Sequence, residues 1–148
     1  MHLLGFCHTH SIIHRDLKLE NIMIDRHTKM VKLIDFGLAN FYDPQSLLAT
    51  ACGSIPYTAP EILRGEKYVG PEVDVWSLGV LLYVMTTGML PFGDPSVAKN
   101  FENITAGNFW IPNGMSEPLQ NLLIRMLDPD VKRRISLKGV VNHTWLTI

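Results

Sequence analysis

From Val75 to Gly93 the chain carries no charged residue, and this run constrains the fold more than any other. A stretch of that length either crosses a bilayer or lies at the centre of a protein. Trp76, Ser77, Gly79, Tyr83, Thr86, Thr87 and Gly88 interrupt it, and Pro91 closes it. Asp74 stands at its start, and no basic flank is present to orient it in a membrane. The run reads as the central helix of a globular lobe, not as a membrane span.

A lobe of that kind needs enough apolar surface around it, and the chain has it. With 148 residues, 47% of them apolar, and a net charge of −1, it buries one core and is not disordered. The near-neutral balance argues against nucleic acid or a membrane surface as partner. The one dense basic run, Lys132-Arg133-Arg134, reads as a helix-flanking cap. Cys7 and Cys52 are too few and too unpatterned for a disulfide framework, which points to a reducing compartment, the cytoplasm. The first residues have no charged n-region or long apolar h-region, so no signal peptide is expected.

No internal repeat, low-complexity tract or Gly/Ser linker divides the chain, and residues 1–148 read as one domain. Residues 1–10 read as the tail of a helix. Ile22–Ile24 and Met30–Ile34 read as a β-hairpin around the polar turn Asp25–Lys29. Residues 36–60 show no period and carry Gly37, Pro44, Gly53, Pro56 and Pro60, the signature of a long functional loop. Helical patterns follow at Glu61–Leu63, Glu72–Thr87, Ser96–Ala106, Ser116–Leu127 and Ser136–His143. The fold class is mainly α with a small β-hairpin.

The chemistry sits in front of those helices. His14–Asn21, HRDLKLEN, packs four charges, a histidine and an asparagine around Leu17 and Leu19, a pattern for a half-buried loop. Asp16, Asn21 and Asp35 offer the oxygen ligands that Mg²⁺ requires, and the hairpin would return Asp35 beside Asn21. Ile34 and Phe36 would pin the Asp35 backbone, and Gly37 would free the chain to turn. Lys18 is a point charge suited to a phosphate oxygen. Together these groups describe phosphoryl transfer. Taken alone, a solvated charge run accounts for the same residues. Cys7, His10 and His14, at i, i+3 and i+7, offer a further metal set, although lone histidines are usually structural.

HRDLKLEN, then DFG at Asp35–Gly37, then APE at Ala59–Glu61 resemble the eukaryotic protein kinases in order and separation. DVWSLGV (Asp74–Val80), LPF (Leu90–Phe92), Arg134 before Ile135, and HTW (His143–Trp145) extend the resemblance over essentially the whole chain. It implies the C-terminal lobe of the protein-kinase fold and transfer of the ATP γ-phosphate to protein Ser/Thr hydroxyls. Asp16 would orient the substrate hydroxyl and take its proton, and Lys18 would steady the transferred group. Asn21 and Asp35 would hold Mg²⁺ on the ATP phosphates, and Met23 would floor the adenine pocket. For Met23 and Ile34, core packing is an equal reading. Lys18 in RDLK is the serine/threonine-kinase form, and Glu20 lies where such kinases meet a basic substrate residue. Thr50 matches the site phosphorylated by an upstream activating kinase, with Arg15 as partner of the phosphate. His14, Phe36, Gly37, Asp74, and a buried Glu61–Arg134 pair would be structural. DFGLxN, with Asn40 where many kinases are basic, and Gly70–Phe92 resemble the AMP-activated and microtubule-affinity-regulating group, which is calmodulin-dependent-kinase-like.

Two departures matter. GSIPY (Gly53–Tyr57) places its proline one position late, so Ser54 keeps the hydroxyl that meets Asp16 and Lys18 while substrate selection beside it is in question. No glycine-rich loop, strand lysine or helix glutamate precedes His14, so the N-terminal lobe is expected to be absent and the isolated chain inactive. The alternative is a non-catalytic interaction module. In either case the apolar face left by that lobe would need the lobe, or a partner, to cover it.

Overall fold

The computed structural model describes residues 2–147. Helix α1 (His2–Thr9) leads into strand β1 (Ile12–Ile13), a 3₁₀ turn at Leu19–Asn21, and strands β2 (Ile22–Ile24), β3 (Val31–Leu33) and β4 (Asn40–Phe41). A second 3₁₀ turn at Ile55–Tyr57 precedes α2 (Pro60–Leu63), α3 (Pro71–Thr87), α4 (Val97–Ala106), α5 (Glu117–Met126) and α6 (Leu137–Val141), and Thr144–Leu146 forms a last 3₁₀ turn. The result is a mainly helical body carrying two small antiparallel sheets.

Helix α3 takes in the uncharged run as far as Thr87 and begins one turn before it, and the rest of the run, from Gly88 to Gly93, lies outside the helix. Pro71 sits in its first turn, where no backbone donor is needed, and Glu72 and Asp74 complement the positive end. Gly88, at φ 75°, ends it in the left-handed conformation. Val73–Ser77 and Gly79–Tyr83 are all buried, so the helix is covered nearly all round. Among the described residues, no helix is long and apolar enough to cross a membrane. One cluster, with Ile13, Trp76, Val80, Phe92 and Ile104, packs on one side. Trp76 and Phe92 stack there at 5.5 Å. The other side meets Leu119, Leu122, Leu123 and Met126 of α5. Gly79 permits that approach, because a Cβ there would lie 2.9 Å from Met126 Cβ.

The hairpin forms as expected, with Ile22 opposite Leu33 and Ile24 opposite Val31. Asp25 Oδ1 closes its turn by accepting the amides of His27 (2.9 Å) and Thr28 (2.7 Å). The 36–60 segment, expected to lack regular structure, contains β4, which pairs with β1 as Ile12↔Phe41 and Ile13↔Asn40. It is also bridged at Leu48↔Tyr68. The basic run 132–134 is not simply a cap. Arg133 stays outside with Asp128 (3.0 Å) and Asp130 (3.5 Å). Arg134 turns inward, reaching Glu61 Oε1 at 2.7 Å and Oε2 at 2.8 Å with its guanidinium over the Trp76 ring.

Candidate active site

Residues 14–21 are held from behind by a single buried carboxylate. Asp74, in the first turn of α3, accepts the amides of His14 (2.9 Å) and Arg15 (2.8 Å), and His8 Nε2 lies 2.8 Å from its Oδ2. These bonds fix Arg15 at φ 66°, a conformation a long side chain does not adopt unaided. His14 is fully buried and packs edge-on against Phe36 at 4.8 Å, while its Nδ1 accepts the Asp16 amide at 3.3 Å. The two leucines divide: Leu17 enters the core and Leu19 stays largely exposed.

The loop so held presents Asp16, which is buried and meets four donors. Its Oδ1 accepts the Ser54 amide (3.0 Å) and the Ser54 hydroxyl (2.9 Å). Its Oδ2 lies 2.7 Å from Lys18 Nζ and accepts Asn21 Nδ2 at 3.3 Å. Lys18 also donates to Ser54 Oγ at 2.9 Å, closing a triangle of three side chains. Burial works to raise the Asp16 carboxyl. The hydrogen bonds from Lys18 and Ser54, with the Lys18 charge, outweigh it and hold the group below the usual carboxylate range. The Asp16 hydrogen bond in turn lifts the Lys18 ammonium above its ordinary range, and the charges of Glu20 and Asp35 add to this. At neutral pH the pair is therefore a carboxylate and an ammonium.

Asn21 is buried and its amide nitrogen donates to Asp16 O at 2.9 Å, which turns its Oδ1 away from that carbonyl. The Ile34 amide bonds to Asn21 O at 2.9 Å, so the hairpin returns Asp35 to the end of the Asn21 strand. The sharp turn after Ile34 is made by Asp35 itself, at φ 61°, and not by Gly37. Asp35 Oδ1 accepts the Gly37 amide at 3.0 Å, and a Cβ on Gly37 would sit 3.0 Å from that oxygen. The glycine is there for close approach. Asp35 is exposed, as are Ile34 at 41% and Phe36 at 43%, so apolar burial does not pin it. Met23 is 53% exposed, which removes core packing as its role. Glu20 is exposed beside them. A hard-oxygen pair with one carboxylate free toward solvent suits Mg²⁺. The alternative metal set fails: among the described residues no three or more His, Cys, Asp or Glu side chains gather as a metal-holding group, Cys7 being buried and His10 Nδ1 bonded to Phe6 O.

Thr50 is exposed, and its carbonyl is linked to Arg15 through Tyr68. Arg15 Nε donates to Leu38 O at 2.7 Å and its NH1 to the Tyr68 hydroxyl at 3.3 Å, and that hydroxyl donates to Thr50 O at 2.9 Å. Sequence reasoning passed over Tyr68 and His8. The only signals were an aromatic in a glycine-flanked linker and a histidine on a short helix.

Known proteins give this geometry a context. The family described as "Protein kinase domain" matches residues 1–146. The chain is similar to serine/threonine-protein kinase SIK1 of Mus musculus, 46% identical over 141 residues, covering 95% of this chain and 18% of that protein. It is similar to serine/threonine-protein kinase ppk25 of Schizosaccharomyces pombe, 46% identical over 143 residues, covering 97% of this chain and 34% of the relative. It also resembles the probable serine/threonine-protein kinase MARK-A of Dictyostelium discoideum, 42% identical over 144 residues, 97% of this chain and 14% of the other. The chain thus spans from about a seventh to a third of these relatives' lengths.

Proposed function

The chain belongs to the protein kinase family, in the serine/threonine group that includes the AMP-activated and microtubule-affinity-regulating kinases, and from this premise we propose that it is the C-terminal lobe of a kinase that phosphorylates protein Ser/Thr hydroxyls. The observation that carries the reading is the Asp16 carboxylate with Lys18, Ser54 and Asn21 gathered on it. Protein kinases generally use ATP and Mg²⁺, and Asn21 with Asp35 would hold the ion, which when bound neutralises charge on the phosphates.

The chain's own residues do the rest. A carboxylate has about four lone-pair sites, and all four are taken here. A substrate hydroxyl would displace the longest contact, Asn21 Nδ2 at 3.3 Å. Held below the ordinary carboxylate range, Asp16 is a weak base, so it orients the hydroxyl first and receives its proton late. Ser54 fixes Asp16, and Lys18 meets the transferred group as a fixed positive charge. Exposed Glu20 faces a basic substrate residue, and Met23 offers an apolar floor for the base of ATP. Thr50 receives phosphate from an upstream kinase, and Arg15 receives that phosphate.

The full-length protein carrying this chain is expected to transfer phosphate from Mg-ATP to a Ser/Thr peptide, and Asp16→Asn is expected to lower the rate by about 10²–10⁴-fold. Undiminished turnover in Asp16→Asn would sink the assignment. A non-catalytic module is the second reading, in which a partner would occupy an apolar groove. The groove, about 370 Å³, is lined by Ile22, Ile24, Val31, Leu81, Met85 and Trp145 among others.

A further inference from the structure

The segment around Thr50 is fastened at three points by one residue. Tyr68 exchanges both backbone hydrogen bonds with Leu48, at 2.8 and 3.0 Å, and its hydroxyl donates to Thr50 O at 2.9 Å. The same hydroxyl accepts Arg15 NH1 at 3.3 Å, and Arg15 Nε is held by Leu38 O at 2.7 Å. Tyr68 is 4% exposed and its ring is part of the core around Trp76, whereas Thr50 is exposed. Burial raises the Tyr68 phenol against the opposing pull of Arg15, so it stays a neutral donor to the carbonyl. One buried hydroxyl therefore stands between the guanidinium and the main chain of the residue that would carry the phosphate.

We propose that Tyr68 is a positioning residue, whose hydroxyl sets Thr50 and Arg15 at a fixed separation before phosphorylation, so that a phosphate on Thr50 meets a guanidinium already in place. This rests on the reading of Thr50 as phosphosite and Arg15 as its receiver. The mechanism is preorganisation: the loop and the arginine are ordered in advance, and the phosphate contact does not have to bear that cost. Loss of the hydroxyl leaves the ring, its packing and the Leu48 bridge intact, and frees Arg15 NH1 and Thr50 O.

The test is a ³¹P titration of the full-length protein with phosphothreonine installed at position 50 by segment ligation, as wild type, Arg15→Ala and Tyr68→Phe. In wild type the second phosphate ionisation should lie below its ordinary value of about 6, because Arg15 favours the dianion. Arg15→Ala should return it to the ordinary value. Tyr68→Phe should recover at least half of that change, while its melting temperature stays with wild type because the ring remains. A shift in Arg15→Ala with none in Tyr68→Phe would leave the docking reading standing and remove Tyr68 from it. No shift in Arg15→Ala would overturn the docking reading, and the Tyr68 role with it.

Discussion

Asp16 shows how little of a site's physics is written in its motif. HRDLKLEN reveals which groups are close in sequence, and the aspartate, lysine and asparagine are indeed within reach of one another. Ser54 joins them from across the loop, at 2.9 Å from both Asp16 and Lys18, and in the sequence only the family resemblance points to it. The left-handed conformation of Asp35 is also hidden in the sequence, since a glycine two residues on is the ordinary signal for the residue that turns. A pH dependence follows from Asp16. Its folded pKa is depressed, so its stabilising contribution is present above the unfolded value of about 3.9 and disappears as pH falls through the lower folded value. In urea unfolding, wild type should exceed Asp16→Asn in stability by a constant margin from about pH 5 to neutrality, and the margin should shrink below about pH 4. A margin that is the same at pH 7 and pH 3 would show that Asp16 is not held by Lys18 and Ser54.

Elements rather than single residues explain what the periodicity did and did not reveal. Long helices read well: the Glu72–Thr87 pattern became α3, although the uncharged run goes on past its end, and Ser96 and Ser136 cap α4 and α6 by accepting the amides of Lys99 and Gly139. The β1–β4 pair did not read, because two-residue strands have no alternation to detect. Two predictions belong to this scale. Arg134 joins α2 to the last helices through Glu61 and also donates to Asp128 O and Glu72 O, each at 3.0 Å. Arg134→Ala leaves Glu61 buried and unpaired, at a cost on the order of 3–5 kcal/mol, or a melting point lower by on the order of ten degrees. Arg133→Ala, on the surface, should move it far less, and equal shifts would dismiss the buried pair. At the α3–α5 contact, Gly79→Ala should gain about 1 kcal/mol of helix propensity and lose about 1–3 kcal/mol to the clash with Met126 and Leu127. The clash involves Met126 Cβ, which cannot swing aside, so the sign should be destabilising. A stabilised variant in chemical denaturation would mean that the helices separate more readily than the contact implies.

For the molecule as a whole, the deciding feature is where its apolar surface remains uncovered. Ile24 and Val31 on the hairpin are 61% and 63% exposed, and the groove they line runs on to Met85 and Trp145. A contiguous patch of that kind marks a surface that something else covers. The 148 residues contain the groups proposed to meet substrate and metal but no glycine-rich loop, strand lysine or helix glutamate to hold the α- and β-phosphates. Phosphoryl transfer depends almost entirely on positioning and charge stabilisation, so half of the clamps should give far less than half of the rate. Mg-ATP should therefore raise the melting temperature of the full-length protein and leave that of residues 1–148 unchanged, and only the former should phosphorylate a basic Ser/Thr peptide. Amides of the hairpin should also exchange more slowly in a longer protein that covers the patch. Clear turnover by the 148-residue chain, lost in both Asp16→Asn and Asp35→Asn, would overturn this and require that a second chain completes the cleft. Gel filtration with light scattering would then have to show an assembly that separates as turnover falls.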